Sequence, residues 1–312
     1  MDGALIERIL GAYKLRHKEI HTSQKGYRNR SYPVTLADNS MVNLLLYKSE
    51  PGMLLRIKRA NNISNYLFSQ GFPARSSAHP NIIRLQSGTH VKYGALYHYL
   101  PGHTIPWEGY TQAHIKALGK SMSDMHALLS GIASTGLPEV SDEYVAIVDR
   151  MRVYFNDAFV RRALASKLSL WVGSDVFDRC AHLLAGSALL PGKQPLHMDF
   201  VRSNILFADK PLDDTPGVSI SGVLDFEKTA YGSPMFDIAR TLAFLLVDCK
   251  YKTPEKIRKY FLDSGYQKRG AADLPSRHMG LLEPLLNMFL LHDFYKFLRH
   301  NPYEFLPQNE HF

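Results

Sequence analysis

The stretch Pro195-Leu-His-Met-Asp-Phe-Val-Arg-Ser-Asn-Ile-Leu-Phe207 decides how this chain is read. Within it His197, Asp199 and Asn204 stand in the order H-x-D-x-x-x-x-N. Apolar residues flank the set on both sides, as short strands bounding a loop would. Twenty-one residues after Asn204, the run Gly222-Val-Leu-Asp-Phe-Glu227 delivers a second acid, Asp225, at the end of another apolar segment. A lone Asp is common in turns and says little. The joint spacing says more. Asp199 is a carboxylate that could take the proton of a hydroxyl. Asn204 and Asp225 offer one neutral and one anionic oxygen, the hard donors that Mg2+ accepts alongside phosphates and water.

Outward from this stretch the chain changes character near residue 100. Residues 3–14 have helical spacing, and residues 31–47 read as a hairpin turning at Asp38-Asn39-Ser40. Residues 54–70 form a helical pattern with Leu55, Ile57, Ala60, Ile63, Tyr66 and Leu67 as its apolar positions. Strand-like runs at 81–85 and 95–100 follow, and Pro101-Gly102 ends them. Beyond lie helical patterns at 111–130, 142–167, 173–187, 235–248, 254–263 and 279–299, interrupted by short strands and loops at 193–230. A β-rich part at 1–100 and a mostly helical part at 101–312 make an α+β arrangement.

Composition narrows the class. The 312 residues exceed one compact core. Mean hydropathy is −0.19, and no apolar run approaches the ~20 residues of a membrane span. The first twenty residues carry Asp2 and Glu7 and lack the core of a secretory signal, so a cytoplasmic location is expected. Two cysteines, Cys180 and Cys249, exclude a disulfide framework and a four-cysteine metal site. The net charge of +8 favours anionic ligands such as nucleotides. No long Lys/Arg run is present, so no nucleic-acid partner is expected.

The D-x-x-x-x-N spacing, with an Asp heading a D-F-x triplet downstream, is that of a kinase catalytic loop. More closely, the chain resembles the aminoglycoside phosphotransferase and choline kinase family. That family shows H-G-D-x-x-x-x-N, then an acid-aromatic-Glu strand end, matched here by His197 to Asn204 and by Asp225-Phe226-Glu227. Gly232-Ser-Pro-Met-Phe-Asp-Ile-Ala239 resembles its G-D-P-x-x-D-L-A segment, and Gly71-Phe-Pro-Ala74 its G-[L/I]-P-V. Leu96 to Ile105 resembles its strand and hinge, and Leu118-Gly119 through His126 its L-G-x-x-L-A-x-L-H helix.

The resemblance spans roughly residues 20–300 and implies a bilobed protein-kinase-like fold. It implies a phosphotransferase that moves a phosphoryl group from Mg-bound ATP or GTP to a hydroxyl of a small molecule: a sugar, an amino alcohol or an aminoglycoside-like acceptor. Asp199 would be the base, and Asn204 and Asp225 the Mg2+ ligands. The backbone at Tyr97, His98, Tyr99 and Leu100 would hold the nucleotide base. His197, Asp237 and Glu227 would give structural support.

The resemblance also exposes a gap. The family's strand cation falls on Leu45, and its helix acid falls near Ala60 or Asn61, in a segment (53–66) that contains no acid. A relocated cation, Lys48, Lys58, Arg28 or Arg30, is one expectation. The alternative is a nucleotide-binding pseudokinase or regulatory protein without the usual pair.

Overall fold

The computed structural model describes residues 2–25, 29–87, 90–132, 136–189, 192–208, 217–267, 279–301 and 303. The chain divides into two compact units. One comprises residues 1–104 together with 204–228, and the other residues 105–203 together with 229–312. Division at residue 100 alone would leave 204–228 in the second part; the structure returns that segment to the first unit.

The first unit is built on an antiparallel sheet. It contains β1 (His17–Ile20), β2 (Gln24–Lys25), β3 (Arg30–Leu36), β4 (Met41–Tyr47), β5 (Ile83–Ser87) and β6 (His90–His98). The order is β1-β3-β4-β6-β5, with β2 also paired to β3. The hairpin appears where the turn cluster places it, with Val34 opposite Val42. β1 and β2 carry few apolar residues and leave no such mark in the sequence.

Both faces of β4 are covered, and its side chains alternate between them. Val42, Leu44 and Leu46 face α1 (Asp2–Ala12), where Ile6, Ile9, Leu10 and Tyr13 complete a core cluster. Leu45 and Tyr47 face α2 (Met53–Ser69), packing with Met53, Ile57, Ala95 and Tyr97. Double coverage accounts for the unbroken apolar run Leu44-Leu-Leu-Tyr47. Each side chain fully buried this way contributes about 1.5–3 kcal/mol. The returning segment adds a two-stranded ribbon, β8 (Ile205–Phe207) with β9 (Ile220–Val223).

The second unit holds α3 (Gln112–Leu129), α4 (Val140–Asn156), α5 (Ala158–Leu168) and α6 (Asp175–Ala188). It continues with α7 (Met235–Asp248), α8 (Pro254–Arg258) and α9 (Leu282–His300), and with the short pair β7 (Gln194–Leu196) and β10 (Ala230–Gly232). The single helix expected over 142–167 is two. Asp157 adopts extended backbone, and its carboxylate accepts the N–H groups of Phe159 and Val160, so it ends α4 and caps α5. The helix expected over 254–263 begins as α8 behind Thr253 and Pro254 and then widens into a π-helical segment, Lys259–Tyr266. The α9 aromatics pack as a core. Phe289 and His292 meet Tyr144 edge to face, and Phe294 stacks on Phe155.

α3 and the π-helical segment approach closely at Gly119. A Cβ at that position would run into the Phe261 carbonyl and the backbone of Gly265 and Tyr266. Only glycine permits this contact, and the contact delivers the Tyr266 hydroxyl to the His126 ring.

Candidate active site

Asp199 lies in the second unit, in the loop after β7. It is 7% exposed. The loop is held by Asp237, in the first turn of the nearly all-buried helix α7. One Asp237 carboxylate oxygen accepts the His197 amide at 2.8 Å, and the other accepts the Met198 amide at 2.6 Å. Met198 takes a left-handed backbone conformation, φ 58°. The Asp199 amide donates to His197 Nδ1 at 3.1 Å, and Thr241 Oγ1 donates to the Phe200 carbonyl at 3.0 Å. Four consecutive residues of the loop are thus tied to fixed partners.

Asp237 is itself buried, and burial alone would raise its pKa. The hydrogen bond and charge of His126, with the amide and charge of His197, more than offset this and hold it below its ordinary value. His126 Nε2 lies 3.1 Å from Asp237 and Nδ1 lies 2.7 Å from Tyr266 Oη. On the other side, Arg240 donates through Nε to the Met198 carbonyl at 2.7 Å and through Nη1 to Tyr144 Oη at 2.9 Å. Its Nη2 is 3.8 Å from Asp199 Oδ1. The guanidinium, above the rings of Phe244 and Phe289, places one buried positive charge beside the buried carboxylate.

Asn204 and Asp225 lie in the first unit, at the open end of the β8–β9 ribbon. Ile205 pairs with Val223, and one residue beyond, the Leu224 amide donates to the Asn204 carbonyl at 2.8 Å. The ribbon therefore sets Asn204 one residue away from a direct cross-strand position with Asp225. Asn204 is buried, and Asp225 is half-buried in a left-handed conformation that Asp tolerates, φ 60°. Among the described residues no group of three or more His, Cys, Asp and Glu gathers in one place to hold a metal. The donors at hand are one amide oxygen and one carboxylate. Such a sparse, all-oxygen set fits Mg2+, which keeps phosphate and water as its other ligands, and does not fit zinc.

Glu227, two residues beyond Asp225, sits in a buried polar network that also belongs to the first unit. Its Oε1 accepts from Arg75 Nη2 at 2.8 Å and from Tyr47 Oη at 2.7 Å. Tyr47 Oη lies 2.6 Å from Tyr97 Oη, and Tyr97 Oη donates to Asn61 Oδ1 at 2.9 Å. The Arg75 guanidinium lies over the Tyr97 ring at 4.1 Å. Burial would raise the Glu227 carboxyl, but Arg75 beside it outweighs this. The charge and hydrogen bond of Arg75, with the Tyr47 hydroxyl, pull the pKa down to about 2.

The proposed nucleotide residues take different settings. Lys48 and Lys58 are exposed, as is Arg30, while Arg28 lies outside the described residues. The Tyr97 side chain is fully buried in the network above. The His98 amide donates to the Ser76 carbonyl at 2.9 Å, and its ring stacks on Phe68. Tyr99 is exposed and Leu100 half-buried, both past the end of β6. Arg75 was missed in the sequence. Its signal was a lone cation directly after Gly71-Phe-Pro-Ala74, in a stretch whose neighbours are small or apolar.

The family model described as the phosphotransferase enzyme family matches residues 19–255. Among curated proteins none matches. Solved structures do. A complex of amicoumacin kinase hAmiN with AMP-PNP, Ca2+ and amicoumacin superposes with a TM-score of 0.70 at 14% identity, covering 97% of this chain and 87% of that one. The macrolide 2'-phosphotransferase MphH from Brachybacterium faecium gives 0.56 at 19% identity, over 96% of this chain and 93% of that one. A microcompartment-associated aminopropanol kinase gives 0.57 at 14% identity, over 92% and 88%. At these identities the likeness shows a shared kinase-like fold. The family match covers most of the sequence and includes every acid of the loop and the ribbon: this chain belongs to the phosphotransferase enzyme family and is a kinase by class.

Proposed function

We propose that the protein transfers the γ-phosphoryl group of Mg2+-bound ATP or GTP to a hydroxyl of a small-molecule acceptor, such as a sugar, an amino alcohol or an aminoglycoside-like compound. The observation that carries this reading is the grip on the Asp199 loop, in which a second buried carboxylate, Asp237, takes two consecutive backbone N–H groups. Such a device spends a buried charge on fixing the orientation of a short segment, which is what a proton acceptor in an in-line displacement needs. In the reaction the acceptor oxygen forms a bond to phosphorus, the bond to the bridging β–γ oxygen breaks, and Asp199 takes the hydroxyl proton. Arg240 balances the carboxylate charge and keeps it from turning away.

Asn204 and Asp225 would hold the metal. Mg2+, when bound, supplies charge neutralisation on the phosphates. The backbone at Tyr99 and Leu100, just beyond the sheet, is assigned to the nucleotide base. The chain's basic balance suits a triphosphate and argues against a polycationic acceptor. Among the described residues no helix is long and apolar enough to cross a membrane.

The test is nucleotide-induced thermal stabilisation with and without Mg2+, followed by turnover against an acceptor panel. Nucleotide at ~100 times its Kd should stabilise by about 2.7 kcal/mol. The Mg2+-dependent part should vanish in Asp225→Asn. Asp199→Asn should keep the shift and lose transfer by about 100-fold or more. A wild-type protein that shows no shift with millimolar ATP or GTP would sink the proposal.

A further inference from the structure

By the resemblance, the family's strand cation falls on Leu45 and its helix acid near Ala60 or Asn61, and the first unit fills that space differently. Leu45 and Tyr47 share the face of β4 that packs toward α2. From Tyr47 the contacts run to Tyr97 and on to Asn61 of α2 in one direction, and to Glu227 in the other. The single charge-bearing donor to Glu227 is Arg75, which among the described residues is the one buried cation of this unit, 4% exposed. Its own backbone is fixed as well: Ala74 bridges Val223, and the Arg75 amide donates to the Val223 carbonyl at 2.9 Å. Arg75 therefore holds the strand that leads into Asp225 by its main chain and Glu227, two residues beyond Asp225, by its side chain. Arg75 Nε and Glu227 Oε2 are both buried without a hydrogen-bond partner among the described residues.

We infer that Arg75 is a positioning residue. Its pairing with Glu227 stands in for the missing strand-cation and helix-acid pair and fixes the loop that presents Asp225 to the metal. The inference rests on the phosphotransferase reading given above. The two arrangements differ in kind. A strand lysine would touch the nucleotide itself, whereas Arg75 is enclosed and acts through Glu227 on a metal ligand. Tyr47, Tyr97 and Asn61 extend the lock to α2 through neutral groups, so the position of that helix and the setting of Asp225 are tied without a charge on the helix.

A purely structural ion pair would alter stability and leave the metal requirement alone; a positioning pair alters the metal requirement. The measurement is the Mg2+ concentration that half-saturates ATP binding, followed by calorimetry on the full chain. The proteins are wild type, Arg75→Lys, Arg75→Met, and the neutral double variant Arg75→Met/Glu227→Gln. Residues that orient a metal ligand typically change metal affinity by about 10- to 100-fold. Arg75→Met is expected to raise the half-saturating Mg2+ by that factor, with ATP affinity at saturating Mg2+ changed far less. Arg75→Lys should recover part of the loss. If Arg75→Met does not fold, the double variant, which leaves no lone buried charge, carries the test. A folded variant of either kind with the wild-type Mg2+ requirement overturns the inference while the phosphotransferase reading stands. A wild-type chain without Mg2+-dependent ATP binding overturns both.

Discussion

Two buried carboxylates, one in each unit, hold the segment that carries a proposed functional acid by opposite means. Asp237 grips main chain: it takes the amides of His197 and Met198, and His126 and Tyr266 line up behind it. Glu227 grips side chains: it takes Arg75 and Tyr47, and Tyr97 and Asn61 line up behind them. A main-chain grip needs one acid at one distance from the loop and is indifferent to which side chains the loop carries. A side-chain grip needs several residues of the right type, drawn from separate elements. The first tolerates substitution in the loop it holds, as Met198 at a position the family gives to glycine illustrates. The second, as proposed for Arg75, could be moved to a new place in the fold only as a set.

The comparison can be broken most readily at Arg75. Arg75→Met leaves Glu227 as a lone buried charge and should destabilise the protein by about 3–5 kcal/mol in urea unfolding. The double variant with Glu227→Gln should recover much of that loss. Asp237→Asn should come next. It leaves one loop amide facing an amide donor, for a loss of about 2–4 kcal/mol, and turnover should fall by about 100-fold from misplacement of Asp199. Equal turnover in that variant would remove the case for the main-chain grip. Gly119→Ala should cost about 1–3 kcal/mol through the collision with the Phe261 carbonyl, measurable as a drop in Tm without loss of Mg2+ dependence.

Acid sharpens the contrast further. The Asp237 carboxyl titrates below its ordinary value in the folded protein, so in acid the unfolded chain binds more protons. The stability it contributes is complete above about pH 4 and is lost as the pH falls toward its folded value. Asp237→Asn should flatten this part of the acid-unfolding curve. Smallest of all, Lys48→Ala and Lys58→Ala, at exposed positions, should change stability by less than about 0.5 kcal/mol. A tenfold loss of ATP affinity in either would return the phosphate-binding cation to the surface.

The same contrast explains what the sequence discloses. His197, Asp199, Asn204, Asp225 and Asp237 stand at fixed intervals because a loop, a ribbon and a helix turn set their spacing, and fixed intervals can be read along a chain. The hairpin at 31–47 and helix α2 are legible for the same reason: turn residues and the 3.6-residue period are local. Arg75, Tyr47, Tyr97, Asn61 and Glu227 come from five elements, and nothing in their spacing links them. The break at Asp157 escaped because a cap inside two similar amphipathic patterns does not interrupt the period. The return of residues 204–228 to the first unit escaped because the bridge from Ala74 to Val223 acts across more than a hundred residues of intervening chain.

The left-handed turn at Met198 has a thermodynamic side of its own. Glycine would adopt that backbone freely but would surrender more unfolded-state freedom on folding. Methionine accepts about 1–2 kcal/mol of local strain, starts from a narrower unfolded ensemble, and buries its side chain to 3% exposure. The residue beside the proposed base is thus spring-loaded. Its amide is closed beneath Asp237, and it can reach solvent only if the turn unwinds. Hydrogen exchange at that one amide would therefore report how often the Asp199 loop lets go.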